Sequence, residues 1–169
     1  TYLPEFVYGG IDGTITTFAV VSGVIGASLN SAIVLILGFA NLFADGFSMA
    51  VSNYFSVSSR NQIELNRIGV HKKNAMKSAF MTFFSFLLMG FIPLLSFVLA
   101  LILKSAFLIK MQFILAFILT GFSLLIIGAM KGKIKGTNRW KTALEVFLIG
   151  GIASMLAFTV GYFLNGLIN

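Results

Sequence analysis

Two aspartates stand inside stretches of sequence that are otherwise apolar enough to cross a lipid bilayer. Asp12 lies in the segment Tyr8–Gly23, and Asp45 lies in the segment Asn41–Tyr54. A carboxylate at the centre of a membrane costs about 2.5–3.5 kcal/mol on insertion scales, so it needs a partner, a proton or a bound ion. Carboxylate oxygens can replace the water that a divalent cation loses when it leaves solution. The two residues therefore predict a cation path between the first two apolar helices.

The second of these segments places three polar or polarisable side chains on one side of a helix. Asn41, Asp45 and Met49 are spaced four residues apart, and residues at that spacing share a helix face. An amide oxygen and a thioether would extend the ligand set, and the thioether favours transition metals over magnesium or calcium. Each also has an ordinary role, since methionine commonly fills packing gaps and asparagine bonds neighbouring helices.

Each aspartate is followed by a glycine, which leaves a second interpretation open. An aspartate before glycine can cap a broken helix, with its side chain accepting a hydrogen bond from the freed backbone. Because broken helices often line transport sites, capping and ion binding can also coexist.

The composition indicates an integral membrane protein. The 169 residues are 58% hydrophobic and 10% charged, with a mean hydropathy of +0.99, whereas about 25% of the residues in a soluble domain are charged. A net charge of +7 could suggest nucleic acid, but 10 of the 12 lysines and arginines fall in two short segments. Such clustering is typical of the cytoplasmic loops of membrane proteins, so we expect no nucleic-acid partner.

Five apolar stretches divide the chain, which we expect to fold as one all-α domain over residues 1–169. The predicted spans are 6–29, 31–57, 79–103, 107–130 and 143–168. The basic segments Ser58–Ser78 and Lys131–Thr142 are predicted loops on the same side as the N-terminus. That side should be cytoplasmic, which places the C-terminus outside.

Small residues mark where the helices are expected to touch. Gly9, Gly13 and Gly23 form a small-residue row on the first span, and such rows let membrane helices approach closely. A pore enclosed by protein is more easily formed by two copies of so small a bundle, so we expect a homodimer in the lipid bilayer.

The remaining ionisable residues give weaker signals. Glu145 should favour the start of the fifth span or pair with Lys141. Glu64 and His71 are interpreted as a solvated face rather than a metal site. The chain has no cysteine, and it contains no phosphate-binding glycine loop and no HExxH motif, so we expect neither enzyme activity nor a cofactor.

The two aspartate-bearing segments resemble the vacuolar iron transporter family. The matching residues are Tyr8–Ala19, Ser22–Gly23, Asn41–Ala50 and Ser52–Tyr54, with weaker similarity at Gly150–Gly151, Ala157 and Gly161. The resemblance implies a five-helix homodimer with an ion path between the first two helices of each subunit. It implies Fe²⁺ or Mn²⁺ leaving the cytoplasm in exchange for protons, across a vacuolar-type or prokaryotic inner membrane. Asp12 and Met49 fall on the metal ligands of that family.

The chain departs from the family pattern at two places. Iron-transporting members have glutamate where this chain has Asn41, and they carry a cytoplasmic domain of glutamate- and methionine-bearing helices where this chain has only Ser58–Ser78. Two alternatives to metal–proton exchange therefore stay open. One is a non-transporting scaffold whose aspartates cap helices, and the other is a passive or proton-only pathway.

Overall fold

The computed structural model of the chain describes residues 2–64 and 72–168, without the side chain of Glu64. The regular structure in these residues is α-helical, which agrees with the predicted all-α class. The helices, in chain order, are α1 (Leu3–Gly26), α2 (Ser31–Glu64), α3 (Ala75–Gly90), α4 (Ile92–Leu103), α5 (Ala106–Lys135) and α6 (Arg139–Ile168).

Most of these helices are long and apolar enough to cross a bilayer singly. This is true of α1, α2, α5 and α6, whereas α3 and α4 pass the same test together as a pair bent by 53°. The described residues therefore hold four spans, or five if the bent pair forms one. The chain is a multi-pass integral membrane protein, and the predicted span 79–103 corresponds to the bent pair of α3 and α4 rather than to one straight helix.

The bend between α3 and α4 follows from Pro93, which stands in the first turn of α4. Proline has no N–H, and in a continuous helix its ring would collide with the carbonyl four residues earlier. That carbonyl belongs to Met89, and the Thr14 hydroxyl of α1 lies 3.3 Å from the Met89 oxygen. A backbone N–H at the end of α3 also donates to the Met89 carbonyl, so this oxygen keeps hydrogen-bond partners across the bend, as a proline in a membrane helix requires.

The predicted basic loops are shorter than the sequence suggested. Residues 58–64 continue α2, and residues 131–135 continue α5. α5 ends at Gly136, whose φ of +67° lies in the left-handed region that glycine adopts without strain. α6 begins after Asn138, whose side-chain oxygen accepts hydrogen bonds from the N–H groups of Trp140 and Lys141 at 3.0 and 3.2 Å. The second predicted loop is therefore a turn of three residues.

α1 is the central helix of the bundle and contacts all the others. A Cβ atom added to Gly13 would lie 2.5 Å from the backbone oxygen of Phe86 in α3, and Gly9 meets the same helix. A Cβ atom on Gly23 would lie 3.5 Å from the backbone oxygen of Ala157 in α6. In the structure, the three glycines of the predicted small-residue row pack against helices of their own chain.

One end of the bundle collects both basic segments. Lys73, just before α3, forms an ion pair with Glu5 in the first turn of α1. The Asn61 amide near the end of α2 donates to the Lys73 carbonyl at 2.7 Å. α5 runs antiparallel to α1, with Ile127 beside Gly10, so its end and the start of α6 lie at this same end.

Candidate functional site

The structure brings the two membrane aspartates into the same region. Asp12 of α1 and Asp45 of α2 are both exposed on the surface of the single chain, and the two helices that carry them contact each other. Both helices run unbroken through the Asp–Gly pairs. The interpretation of the aspartates as caps of broken helices is therefore wrong, because neither residue stands at a helix end.

One stripe of the exposed surface of α2 is polar over three helical turns. Asp45, Ser48, Ser52 and Ser56 follow each other at three- or four-residue spacing, and all four are exposed. A side chain in contact with lipid tails cannot hydrogen-bond to its surroundings, so intramembrane polar groups almost always face protein or water. We call this polar side of α2, together with Asp12 of α1, the seam.

Asn41 and Met49 flank Asp45 on α2, one turn away on either side. Both side chains are partly buried. The Asn41 amide nitrogen is buried and has no hydrogen-bond partner among the described residues. A polar group left in this state costs free energy comparable to a lost hydrogen bond, so an unexplained orphan is informative. Asn41 is thus not accounted for by bonding to a neighbouring helix of its own chain.

A cavity of about 540 Å³ opens beside the seam at the basic end of the bundle. It is lined by Glu5 of α1, by α2 residues between Met49 and Asn61, and by Lys73. At 1.5 Å per residue the α2 lining extends about 18 Å along the helix. The cavity, which we call the vestibule, therefore reaches from the end of α2 to Met49, one turn from Asp45.

Glu5 is the polar residue of this region that the sequence analysis missed. Its Oε1 atom accepts hydrogen bonds from the Lys73 ammonium and, at 2.9 Å, from the Ser78 hydroxyl. The Ser78 hydroxyl lies equally close to the side-chain oxygen of Asn53, whose amide donates to the Thr82 hydroxyl at 2.7 Å. One signal was available: Glu5 precedes Asp12 by seven residues, or two helical turns, and so shares its face.

The other candidates lie away from the seam. Glu145 pairs with Lys131 of α5 at 3.6 Å, so the expected partner Lys141 is wrong. His71 and the side chain of Glu64 fall outside the described residues. Within the part of the chain that is described, no three His, Cys, Asp or Glu side chains cluster as a metal centre would require. Any ion at the seam would therefore use mixed ligands or ligands from a second copy.

Comparison with known proteins covers nearly the whole chain. A sequence profile described as the VIT family matches residues 3–73 and 64–162. The chain is 28% identical to a "Vacuolar iron transporter" of Plasmodium berghei over 225 aligned positions, covering 97% of this chain and 82% of that protein. It is 26% identical to the Toxoplasma gondii protein of the same name, covering 97% of this chain and 74% of the relative. It is also 26% identical to "Vacuolar iron transporter 1" of Arabidopsis thaliana, with coverage of 91% and 82%.

These alignments are longer than the chain itself, so the relatives carry inserted residues. The profile match divides at residues 64–73, between α2 and α3, which indicates that the profile and the chain differ in length at this junction. The two matched parts together include the seam, the vestibule and every helix of the bundle. The chain therefore belongs to the VIT family.

Proposed function

We propose that the protein exports a divalent metal ion, Fe²⁺ or Mn²⁺, from the cytoplasm in exchange for protons. The observation that carries the proposal is the pair of carboxylates, Asp12 and Asp45, that stand exposed on two contacting apolar helices. The name of the relatives, vacuolar iron transporter, supports a metal ion as the transported species.

The ligands proposed for the metal are Asp12, Asp45, Met49 and Asn41. Two carboxylates supply charge that offsets loss of the hydration shell, and an amide oxygen adds a neutral ligand. The thioether of Met49 favours a transition metal over magnesium or calcium, which carry the same charge but prefer oxygen ligands. This ligand set suits Fe²⁺ or Mn²⁺ and requires no resident cofactor.

Proton exchange follows from the same carboxylates. A carboxylate must lose its proton before it ligates a metal, so metal binding and proton binding compete for Asp12 and Asp45. A cycle in which metal arrives from one side and protons arrive from the other then moves the two in opposite directions. The reverse exchange would use the same groups, and the concentration gradients decide the direction.

The seam is incomplete in a single chain. Asp12 and Asp45 are exposed there, and each carboxylate facing lipid would cost about 2.5–3.5 kcal/mol on insertion scales. A second copy packed by two-fold symmetry would cover both seams at once, because the same patch serves both partners. We therefore propose a homodimer with the seams at its centre. The basic end, which includes the N-terminus, would face the cytoplasm.

Metal uptake into reconstituted vesicles tests the proposal. Vesicles that contain a pH-sensitive dye are given Fe²⁺ or Mn²⁺, and metal and proton movements are recorded together. Asp12→Asn and Asp45→Asn should each lower the initial rate at least about tenfold, since each removes a charged ligand worth more than about 1.4 kcal/mol. The matched control is Glu145→Gln, which removes a carboxylate outside the seam.

Four outcomes would contradict the proposal in different ways. Unchanged uptake in both aspartate variants would exclude the seam as the metal path. Metal flux without proton movement would indicate a passive pathway, and proton movement without metal flux a proton-only pathway. Absence of both fluxes in the unmodified protein would favour the scaffold interpretation.

A further inference from the structure

The geometry points to Glu5 as a second cation site, in the vestibule, where a divalent metal ion exchanges with the tethered ammonium of Lys73. This inference rests on the proposed transport function and adds an entry site and a built-in competitor to it.

The position of Glu5 connects it to the seam. Glu5 and Asp12 lie on one face of α1, two turns apart, a distance of about 10.5 Å along the axis. Glu5 and Met49 line the same cavity, and Met49 is one turn from Asp45. An ion held at Glu5 would therefore face the seam through open space rather than through packed side chains.

The Glu5 carboxylate is only partly satisfied where it lies. Its side chain is 10% exposed, and its Oε2 atom is buried without a hydrogen-bond partner among the described residues. A buried charged group normally has its remaining lone pairs satisfied, because an unpaired one costs several kcal/mol. The side chains of Ser52 and Ser56 line the same vestibule and could add neutral oxygen ligands of the kind divalent cations accept. The vestibule therefore holds oxygen atoms, including Glu5 Oε2, that the Lys73 ammonium does not use and that could ligate a metal ion.

Lys73 occupies the position that an arriving cation would take. Its ammonium contacts Glu5 Oε1 and lies 5.5 Å from the centre of the Tyr2 ring. The Lys73 side chain as a whole remains 37% exposed. A lysine side chain has a flexible four-carbon stem and a compact charge, so it can leave Glu5 for water or the aromatic ring without moving the backbone.

Charge balance makes this exchange necessary. Arg60 also lines the vestibule, so two positive side chains accompany one carboxylate when Lys73 is in place. A divalent ion added to that set would meet a net positive site, and repulsion in a partly buried cavity is strong. Once Lys73 withdraws, the carboxylate is free for the metal. Lys73 would also neutralise Glu5 when no metal is present, which keeps a bare carboxylate from standing unpaired in the bundle.

Equilibrium binding of Mn²⁺ to the purified full-length chain tests the inference without relying on transport. Free Mn²⁺ is measured by electron paramagnetic resonance during titration. Lys73→Met should lower the Kd by about tenfold, because it removes the competing charge. Glu5→Gln should raise the Kd for Mn²⁺ at the vestibule site by a similar factor. When Lys73→Met is combined with Glu5→Gln, it should no longer lower the Kd. Lys72→Met is the matched control, because this exposed neighbour carries the same charge, and its Kd should stay within about twofold of the unmodified value.

Two results would overturn the inference and mark the Glu5–Lys73 pair as a structural link between α1 and the start of α3. One is an unchanged Kd in Lys73→Met, and the other is the same decrease with or without Glu5. If Glu5→Gln does not fold, the inference is tested by comparing Lys73→Met with Lys72→Met. It requires a lower Kd for Mn²⁺ in Lys73→Met alone. Binding at Glu5 in a protein that moves no metal would contradict only the proposed function, and transport with unaltered binding in Glu5→Gln would contradict only this inference.

Discussion

At the scale of single residues, the polar side chains of the bundle fall into two groups. Asn53 is satisfied inside its own chain, since it bonds the Thr82 hydroxyl and lies 2.9 Å from the Ser78 hydroxyl. Asn41 has a buried amide nitrogen without a partner among the described residues, and Asp12 and Asp45 are exposed on the seam. The first group stabilises the fold, whereas the carboxylates of the second require a ligand or a second copy to complete them.

The same substitution at two positions of α2 separates these groups. Asn53→Leu should lower stability by about 1–3 kcal/mol, because it removes the hydrogen bonds of this side chain to the buried Ser78 and Thr82 hydroxyls. Asn41→Leu should leave stability unchanged or slightly increased while it reduces metal uptake. Thermal unfolding in detergent and vesicle uptake measure the two effects. Equal loss of stability in both variants would show that Asn41 has a structural partner and would remove it from the ligand set.

At the scale of the helices, the close contact of α1 with α3 holds the seam in place. Gly13 follows Asp12 directly, and the Phe86 backbone occupies the space where a side chain at position 13 would begin. On the opposite side of this contact, Gly90 of α3 meets the Gly13 carbonyl, which a Cβ atom on Gly90 would approach to 2.8 Å. Glycine lets the two backbones touch, and this contact fixes which side of α1 is left uncovered.

Adding one methyl group to α1 should therefore disturb both stability and transport. Gly13→Ala forces α1 and α3 apart and should destabilise the protein by about 1–3 kcal/mol, as overpacking does. Gly151→Ala is the matched control, because nothing lies within 4 Å of a Cβ atom at that glycine. Thermal unfolding of both variants in the same detergent provides the comparison. If both variants melt together with the unmodified protein, the α1–α3 contact is looser than described.

The sequence predicts the spans well, because an apolar run of about 20 residues has few other stable uses. It does not give the α3–α4 bend so directly, since membrane helices tolerate a proline whenever the surrounding groups satisfy the backbone near it. α2 and α5 both extend beyond the predicted ends of their spans. Charged residues mark the end of an apolar span, but the helix itself can continue through them into the aqueous region. The pairing of Glu5 with Lys73 cannot be predicted from sequence spacing, because the two residues are 68 positions apart. Only the packing of α1 against the start of α3 brings them together.

At the scale of the whole molecule, the seam is a polar surface that the other helices of a single chain leave uncovered. Aromatic and aliphatic side chains cover the exposed sides of α5 and α6, as lipid contact requires. The seam instead presents carboxylates and hydroxyls. A two-fold axis beside α1 and α2 would bring two such seams together and place four aspartates around one path.

Because the chain has no cysteine, single cysteines can locate the dimer contact. Ser48→Cys, on the seam, should form a disulfide-linked dimer in membranes under mild oxidation, since a two-fold axis beside the seam would bring this residue near its own copy. Ile118→Cys is the control and should remain monomeric. The Ile118 side chain is 57% exposed and lies on the lipid-facing side of α5. Electrophoresis without reductant separates the two forms. Cross-linking of Ile118→Cys with none at Ser48→Cys would place the contact on another side of the bundle.

The central claim is that the seam holds the transported metal, and anomalous X-ray scattering from crystals soaked in Mn²⁺ or Fe²⁺ tests it most directly. We predict a peak between Asp12 and Met49 that disappears in Asp12→Asn crystals soaked in the same way. A map with no peak at the seam, or one that persists unchanged in Asp12→Asn, would contradict the account.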